Sequence, residues 1–273
     1  VTPADLTRTV LHTVRCAVEA DELRAAVPTR VTVRVPPRPG CGDYATNVAL
    51  RLAKDTGRPA REIAEVLRRR LAREPGIARV EIAEPGFLNI TLQGSSYVRL
   101  VRGILDGEGA PGESLPLHPD PGLVRRLGPD AARWAQVSPP GLDHDLLLVQ
   151  RESNPLFRVR YAHARTRALL RNARDLGFEP LPGELDDSAA APLLAALGDH
   201  PRITATRAPD RLARHLERAA DAFLRWQADS PTLPRGDEKP SAVHRARLAL
   251  AEATGKVLAD GLTQLGITAP AHL

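Results

Sequence analysis

The chain has 273 residues, room for two domains with ordinary cores, and a formal net charge of +5. Two cysteines make no disulfide framework, and no apolar run approaches about 18 residues. With no signal-peptide pattern either, secreted and membrane classes are set aside and a cytoplasmic protein is expected. Aromatic residues make up 3 % of the chain, which argues against repeated base-stacking platforms, and the basic balance permits an acidic partner without demanding one.

In chain order, residues 3–26 predict a helix, with Leu6, Val10, Val14 and either Ala17 or Val18 at helical spacing. Residues 31–35 alternate as V-T-V-R-V and stop at Pro36-Pro37, a short strand. Residues 39–54, P-G-C-G-D-Y-A-T-N-V-A-L-R-L-A-K, predict a glycine turn running into a helix. Gly42-Asp43 before a helix suits a metal or a phosphate, but no second carboxylate or histidine stands at ligand spacing. Asp43 is therefore expected as the helix N-cap. Gly57-Arg58-Pro59 interrupts the chain before a helix over 60–73, buried through Ile63, Val66, Leu67 and Leu71. Its other faces set Arg61, Arg68, Arg69, Arg70 and Arg73 against Glu62, Glu65 and Glu74, so a solvated face and a nucleic-acid face both fit. Residues 77–82 and 87–92 predict strands joined by Ala83-Glu84-Pro85-Gly86, and 95–105 a closing helix.

Residues 107–121, G-E-G-A-P-G-E-S-L-P-L-H-P-D-P, have the composition of a linker. Beyond them, residues 154–174 hold Arg158, Arg160, Arg165, Arg167, Arg171 and Arg174 without one Asp or Glu. Asn154-Pro155 supplies a cap and a first helical residue. At about 100° per residue, Arg160, Arg167, Arg171 and Arg174 share one face, with Val159, Ala162, Leu169, Ala173 and Leu176 on the core side. Arg165 projects into the apolar arc and is expected to pair with an acid. An arginine face free of acids suits a phosphate backbone; a solvated surface helix is the competing reading. Further helices are expected over 187–198, 209–229 and 241–265, with Pro201, Pro231, Pro234 and Pro240 as breaks. The last is buried through Leu250, Ala253, Val257, Leu258, Leu262 and Leu265. The eight histidines are scattered, and neither a Walker A loop nor G-x-G-x-x-G occurs, so no metal or other cofactor is expected.

The stretch N-P-L-F-R-V-R-Y-A-H-A-R from Asn154 resembles the opening of the DALR anticodon-binding domain of arginyl-tRNA synthetases. Residues 212–226 resemble that domain's A-x-x-F helix, and 246–270 its terminal helix with the L-G-I-x-A-P ending. G-D-Y-A-T-N-V-A-L-R-L-A-K from Gly42 and V-E-I-A-E-P-G-F-L-N-I-T-L from Val80 resemble the N-terminal additional domain of the same family. The resemblance implies an α+β domain with a small mixed sheet over 1–106, the linker over 107–121, and an all-α anticodon-binding bundle over 154–273. Residues 122–153, with L-G-P-D-A-A-R-W-A-Q-V and L-D-H-D-L-L-L-V-Q-R-E-S-N-P, resemble only the end of the catalytic domain, a remnant whose Trp134 would cover a former interdomain face or bind a partner. The body of that domain, with its H-I-G-H and K-M-S-K type signatures, is absent. What this implies is a monomeric, non-catalytic protein that binds tRNA, specifically tRNA(Arg), away from membranes and without arginine–tRNA ligase activity. The alternative is a protein-interaction or regulatory module, or an accessory subunit of an aminoacyl-tRNA-using enzyme.

Carried over residue by residue, the resemblance places contacts to the tRNA D-loop at Glu84, Phe87 and Asn89. Phe87 would stack on a splayed base and Asn89 would read its edge, unless Phe87 is simply core. Glu84 departs from the glycine usual in bacterial members and sets a carboxylate where phosphates approach. The anticodon region would involve Phe223, Trp226, Gln227 and Leu273, with phosphates held by Arg160, Arg167, Arg171 and Arg174. Here too the chain departs, with Gln227 in place of a tyrosine and Ala271-His272-Leu273 in place of Arg-Met.

Overall fold

Leu6, Val10, Val14 and Ala17 line one side of α1 (Leu6–Glu19) and are fully buried. The computed structural model describes residues 5–36, 38, 41–107, 112–185 and 187–273, and the chain forms two units, Val1–Tyr97 and Val98–Leu273. Pro3 and Ala4 of the first expected helix, Pro37 of the expected strand stop, and Pro39 and Gly40 of the expected turn lie outside the described residues. So do residues 108–111 of the expected linker. α1 ends at Glu19 rather than 26 because Asp21 adopts a left-handed φ of 53°, and the amides of Glu22 and Leu23 both turn back onto the Ala17 carbonyl.

The first unit continues with β1 (Val33–Arg34), β2 (Tyr44–Thr46), α2 (Val48–Thr56), α3 (Ala60–Leu71), β3 (Ile77–Ala83) and β4 (Phe87–Leu92). The sheet order is β1-β2-β4-β3, and every pairing is antiparallel, simpler than the mixed sheet expected. Its pleat sends Leu88, Ile90 and Leu92 inward, alongside Ile63, Leu67 and Leu71 of α3 in the core, and leaves Phe87 on the outer face. β2 sits where only a turn and a helix were expected. Gly42 makes this crossing possible: its φ is 79°, and a Cβ there would lie 3.1 Å from the Ile90 carbonyl oxygen. Asp43 is not a helix cap. Its Oδ2 accepts the Leu92 amide at 2.8 Å, and its carboxylate also accepts the Tyr97 hydroxyl, tying the entry of β2 to the end of β4. The residue before α2 is Asn47, and its side chain makes no capping bond.

The second unit is helical: the end of α4 (Gly94–Asp106), α5 (Pro121–Leu127), α6 (Pro129–Val137), a 3-10 turn at His144–Leu148, α7 (Pro155–Asp175), α8 (Ala191–Thr204), α9 (Pro209–Asp229) and α10 (Ala242–Gln264). α10 starts at a capping box between Ser241 and His244 and is the bundle's centre, packed on α7, α8 and α9. Leu250, Ala253, Val257, Leu258, Leu262 and Leu265 are all buried. Two glycines bring the helices close. A Cβ on Gly255 would stand 2.4 Å from Thr166 Oγ1 of α7, and one on Gly261 2.4 Å from Leu216 Cδ2 of α9. Pro201 does not break α8, which runs on to Thr204. A proline in the final turn forfeits one backbone bond, and α8 is held by its long contact with α9.

Residues 122–153 are part of this bundle. Trp134 of α6 is fully buried, and α6 packs on α9. The described part of 107–121 also docks: Leu115 is buried and donates its amide to the Gln264 carbonyl at 2.7 Å, while Gly112 N donates to Asp260 at 3.2 Å.

Candidate nucleic-acid interface

α7 begins as its sequence dictates. Asn154 Oδ1 accepts the Phe157 amide at 3.0 Å, and its Nδ2 donates to the Val149 carbonyl at 2.8 Å, fixing the chain that enters the helix. Val159, Ala162, Leu169 and Ala173 are buried as expected, whereas Leu176 is 52 % exposed because the helix ends at Asp175 and turns away from the core.

The four arginines of the expected strip differ in what they already hold. Arg160 pairs with Asp130 of α6 and donates to the Thr268 carbonyl at 3.1 Å. Arg171 donates to the Ala271 carbonyl at 3.3 Å, a neutral partner. Arg174 approaches Glu179 only at 4.0 Å, both side chains being about 70 % exposed, a geometry worth little in water. Arg167 is exposed and makes no hydrogen bond or ion pair among the described residues. His163, between them on the helix, is buried and donates from Nδ1 to the Pro270 carbonyl at 2.9 Å. Burial holds its pKa below the usual imidazole value.

Arg165 meets no acid among the described residues. Its Nε donates to Gln227 Oε1 of α9 at 3.3 Å, so the interior offers a neutral amide where a carboxylate was expected. Arg158, by contrast, meets two acids, lying 3.1 Å from Asp221 and 3.7 Å from Glu217 of α9. Burial raises the Glu217 pKa against the pull of Arg158. Beside this pair opens a cleft of about 970 Å³ lined by Arg151, Phe157, Tyr161, Leu224 and Arg225 among others. Phe157 and Tyr161 stack with centroids 5.9 Å apart, and Tyr161 is 44 % exposed. Tyr161 is not among the contacts expected from the sequence. Its place four residues after Phe157, on the open arc next to the arginines, was the available signal.

In the first unit, Phe87 is 38 % exposed on the outer face of β4, not core. Asn89 shares that face, half-buried between its partners Ala45 and Glu81. Glu84 at the hairpin tip is exposed and ion-paired with Arg61 of α3 at 2.6 Å, so its charge is partly answered. The tip can sit against α3 because position 86 is glycine: with φ 147°, a Cβ there would lie 2.9 Å from the Ala60 side chain. Of the anticodon set, Phe223 and Trp226 are buried core residues with rings 6.2 Å apart, and Trp226 Nε1 donates to Asp187 at 3.0 Å. They shape the bundle and offer no surface, whereas Gln227 is half-buried and Leu273 is 56 % exposed.

Two domain families match. Residues 8–92 match the arginyl tRNA synthetase N terminal domain, and residues 159–273 match the DALR anticodon binding domain. The chain belongs to the arginyl-tRNA synthetase-related proteins. Only residues 93–158 separate the two matched regions, too few for a catalytic core. Among solved structures, a Campylobacter jejuni protein assigned as an arginyl-tRNA synthetase is 19 % identical, with 56 % of this chain and 35 % of that chain covered at a TM-score of 0.44. The Thermus thermophilus arginyl-tRNA synthetase is 24 % identical, with 66 % and 31 % covered at a TM-score of 0.41. The chain thus spans about a third of the length of these synthetases. This synthetase relative has no helix long and apolar enough to cross a membrane among its described residues.

Proposed function

We propose that this chain is a non-catalytic tRNA-binding protein whose ligand is tRNA(Arg). The observation that supports this best is the unneutralised charge on α7. Among the described residues, Arg167 has no acid partner, Arg171 has only a carbonyl, and Arg174 has only a distant exposed glutamate. A helix face in that state gains from each phosphate it meets by releasing counterions. Arg167, Arg171 and Arg174 are the principal phosphate contacts in this reading, and Arg160 joins them on giving up Asp130. Tyr161 offers a π-face beside the strip, and Gln227, half-buried on α9, is the member of the anticodon set left to meet RNA. Phe87 and Asn89 on the hairpin, with Glu84 at its tip, are the D-loop contacts. The chain is read as cytoplasmic and monomeric, with a first domain over 1–106 and a bundle over 154–273 that 122–153 completes.

Filter binding of a tRNA(Arg) transcript and of unrelated tRNAs, across a salt series, tests the reading. tRNA binding should fall with salt with a log–log slope of about 0.7 to 0.9 per phosphate neutralised, and tRNA(Arg) should be preferred. Equal affinity for every tRNA would remove the specificity claim. Absence of binding at low salt would leave a protein-docking role for the bundle in its place. Arginine-dependent exchange of pyrophosphate into ATP by protein from a synthetase-free source would end the non-catalytic reading.

A further inference from the structure

Beyond α10 the chain continues as irregular backbone anchored at Ile267, which is buried and donates its amide to the Leu262 carbonyl at 2.8 Å. The residues after that anchor lie along the arginine side of α7. Thr268 O accepts Arg160 Nε at 3.1 Å, Pro270 O accepts His163 Nδ1 at 2.9 Å, and Ala271 O accepts Arg171 Nη1 at 3.3 Å. The Thr268 amide donates to Asp130 Oδ2 at 3.3 Å, the same carboxylate that pairs with Arg160 and, at 3.5 Å, with Arg133. Two of the four strip arginines are therefore occupied from within the chain, while Arg167, which lies between them on the helix, stays open.

We propose that residues 268–273 form a displaceable strap over the phosphate-binding face of α7, occupying Arg160 and Arg171 until a phosphate chain takes their place. The inference rests on the RNA-binding reading above. Three properties of the contact favour exchange. The strap meets the basic groups with backbone carbonyls, which are neutral, so the charge of Arg171 stays uncompensated; a phosphate would neutralise it through charge-assisted, bidentate bonds. Thr268, Ala271, His272 and Leu273 are exposed, so little apolar surface holds the strap down once Ile267 has anchored it. Arg167 offers a first landing point, from which adjacent phosphates reach Arg171 and Arg160 and the carbonyls lose their partners. The strap lowers affinity for any polyanion and leaves the choice among tRNAs to other residues.

The test compares the full chain with a variant lacking residues 268–273, using unfractionated tRNA in filter binding across a salt series, with thermal unfolding as the check on folding. The shortened chain should bind about five-fold more tightly at low salt, with an unchanged log–log salt slope, because the neutral carbonyls release no counterions and the same phosphates are held once the strap is displaced. Equal or weaker binding by the shortened chain overturns the strap and leaves the RNA reading standing. If neither chain binds, both fall. Amide hydrogen exchange on the intact protein decides the matter should the variant fail to fold. Saturating tRNA should speed exchange at Thr268 while slowing it along α7, and a Thr268 amide unchanged or more protected overturns the strap.

Discussion

His215 of α9 lies face to face with His200 of α8, ring centroids 5.3 Å apart. His200 holds Asp260 of α10 through Nε2 at 3.0 Å, whereas His215 is 1 % exposed and its Nε2 has no hydrogen-bond partner among the described residues. Burial first, then the neighbouring His200 and the Arg218 charge, push the His215 pKa down to about 3, against a smaller opposing pull from Asp199. Folding therefore keeps this imidazole neutral, while the unfolded chain takes up its proton near pH 6.5. Stability is full above about pH 6.5 and falls as the pH drops towards 3, at about 1.4 kcal/mol per pH unit from this group. Urea midpoints of the bundle at pH 7.5, 6 and 5, each set by the buffer, should fall in that order for the parent. A His215→Leu variant should flatten the series, and an equally steep fall in the variant would show that other groups carry the acid sensitivity.

The carboxylate of Asp43, holding both the Leu92 amide and the Tyr97 hydroxyl, is expected to be a stability determinant of the first unit. Asp43→Ala leaves two donors without their acceptor and should cost about 2 to 3 kcal/mol, with faster amide exchange at Leu92. Asp43→Asn keeps one carbonyl oxygen and should cost less. Equal losses in the two variants would mean that the charge matters and the geometry does not.

Reversing Arg167 and Arg171 to Glu should weaken binding of every RNA about equally and lower the salt slope by about one to two. Neither side chain has an acid partner to orphan among the described residues, so the melting temperature should hold. Unchanged tRNA affinity at low salt would reduce the face to solvated surface.

Phe87→Ala should leave the first unit folded, since the ring is 38 % exposed on the outer sheet face. Its effect should fall on RNA with an unpaired base at the tRNA corner, by about 1 to 3 kcal/mol, and spare an isolated anticodon stem-loop. Equal losses on both RNAs would point to a general disturbance of the sheet.

Arg165→Ala separates what the sequence suggested from what the bundle contains. A buried acid partner would make this change severe. With Gln227 at 3.3 Å instead, the loss is one hydrogen bond to a charged donor, about 1.5 to 3 kcal/mol at most. Arg158→Ala should be the more damaging change, because it strips the countercharge from Asp221 and Glu217 together. A chemical-denaturation comparison of the two variants checks that order.

The same contrast explains what could be foreseen. α9 and the β3–β4 hairpin were legible because their signals are local: Pro209 at a first helical turn, a continuous apolar stripe, and Glu84-Pro85-Gly86 between alternating segments. The Asn154 cap was legible for the same reason. β2 was not, because three residues leading into a helix become a strand only when β4 arrives to pair with them. Partner identities across α6, α7 and α9 were hidden too. Asp130 and Gln227 lie far from Arg160 and Arg165 in sequence, and only the packing decides which arginine receives an acid. Phe223 and Trp226 carried family roles onto positions whose periodicity already marked them as interior.

The chain's two tryptophans, Trp134 and Trp226, are both buried and both belong to the second unit. Indole emission from the intact protein is thus a built-in reporter for the bundle alone, while the sheet-bearing unit contributes nothing to it. A melt followed by fluorescence reads one unit of the molecule and a melt followed by circular dichroism reads both. Superimposable curves would make the chain a single cooperative block, and a second dichroic step without an emission change would assign that step to the N-terminal unit without any label or mutation.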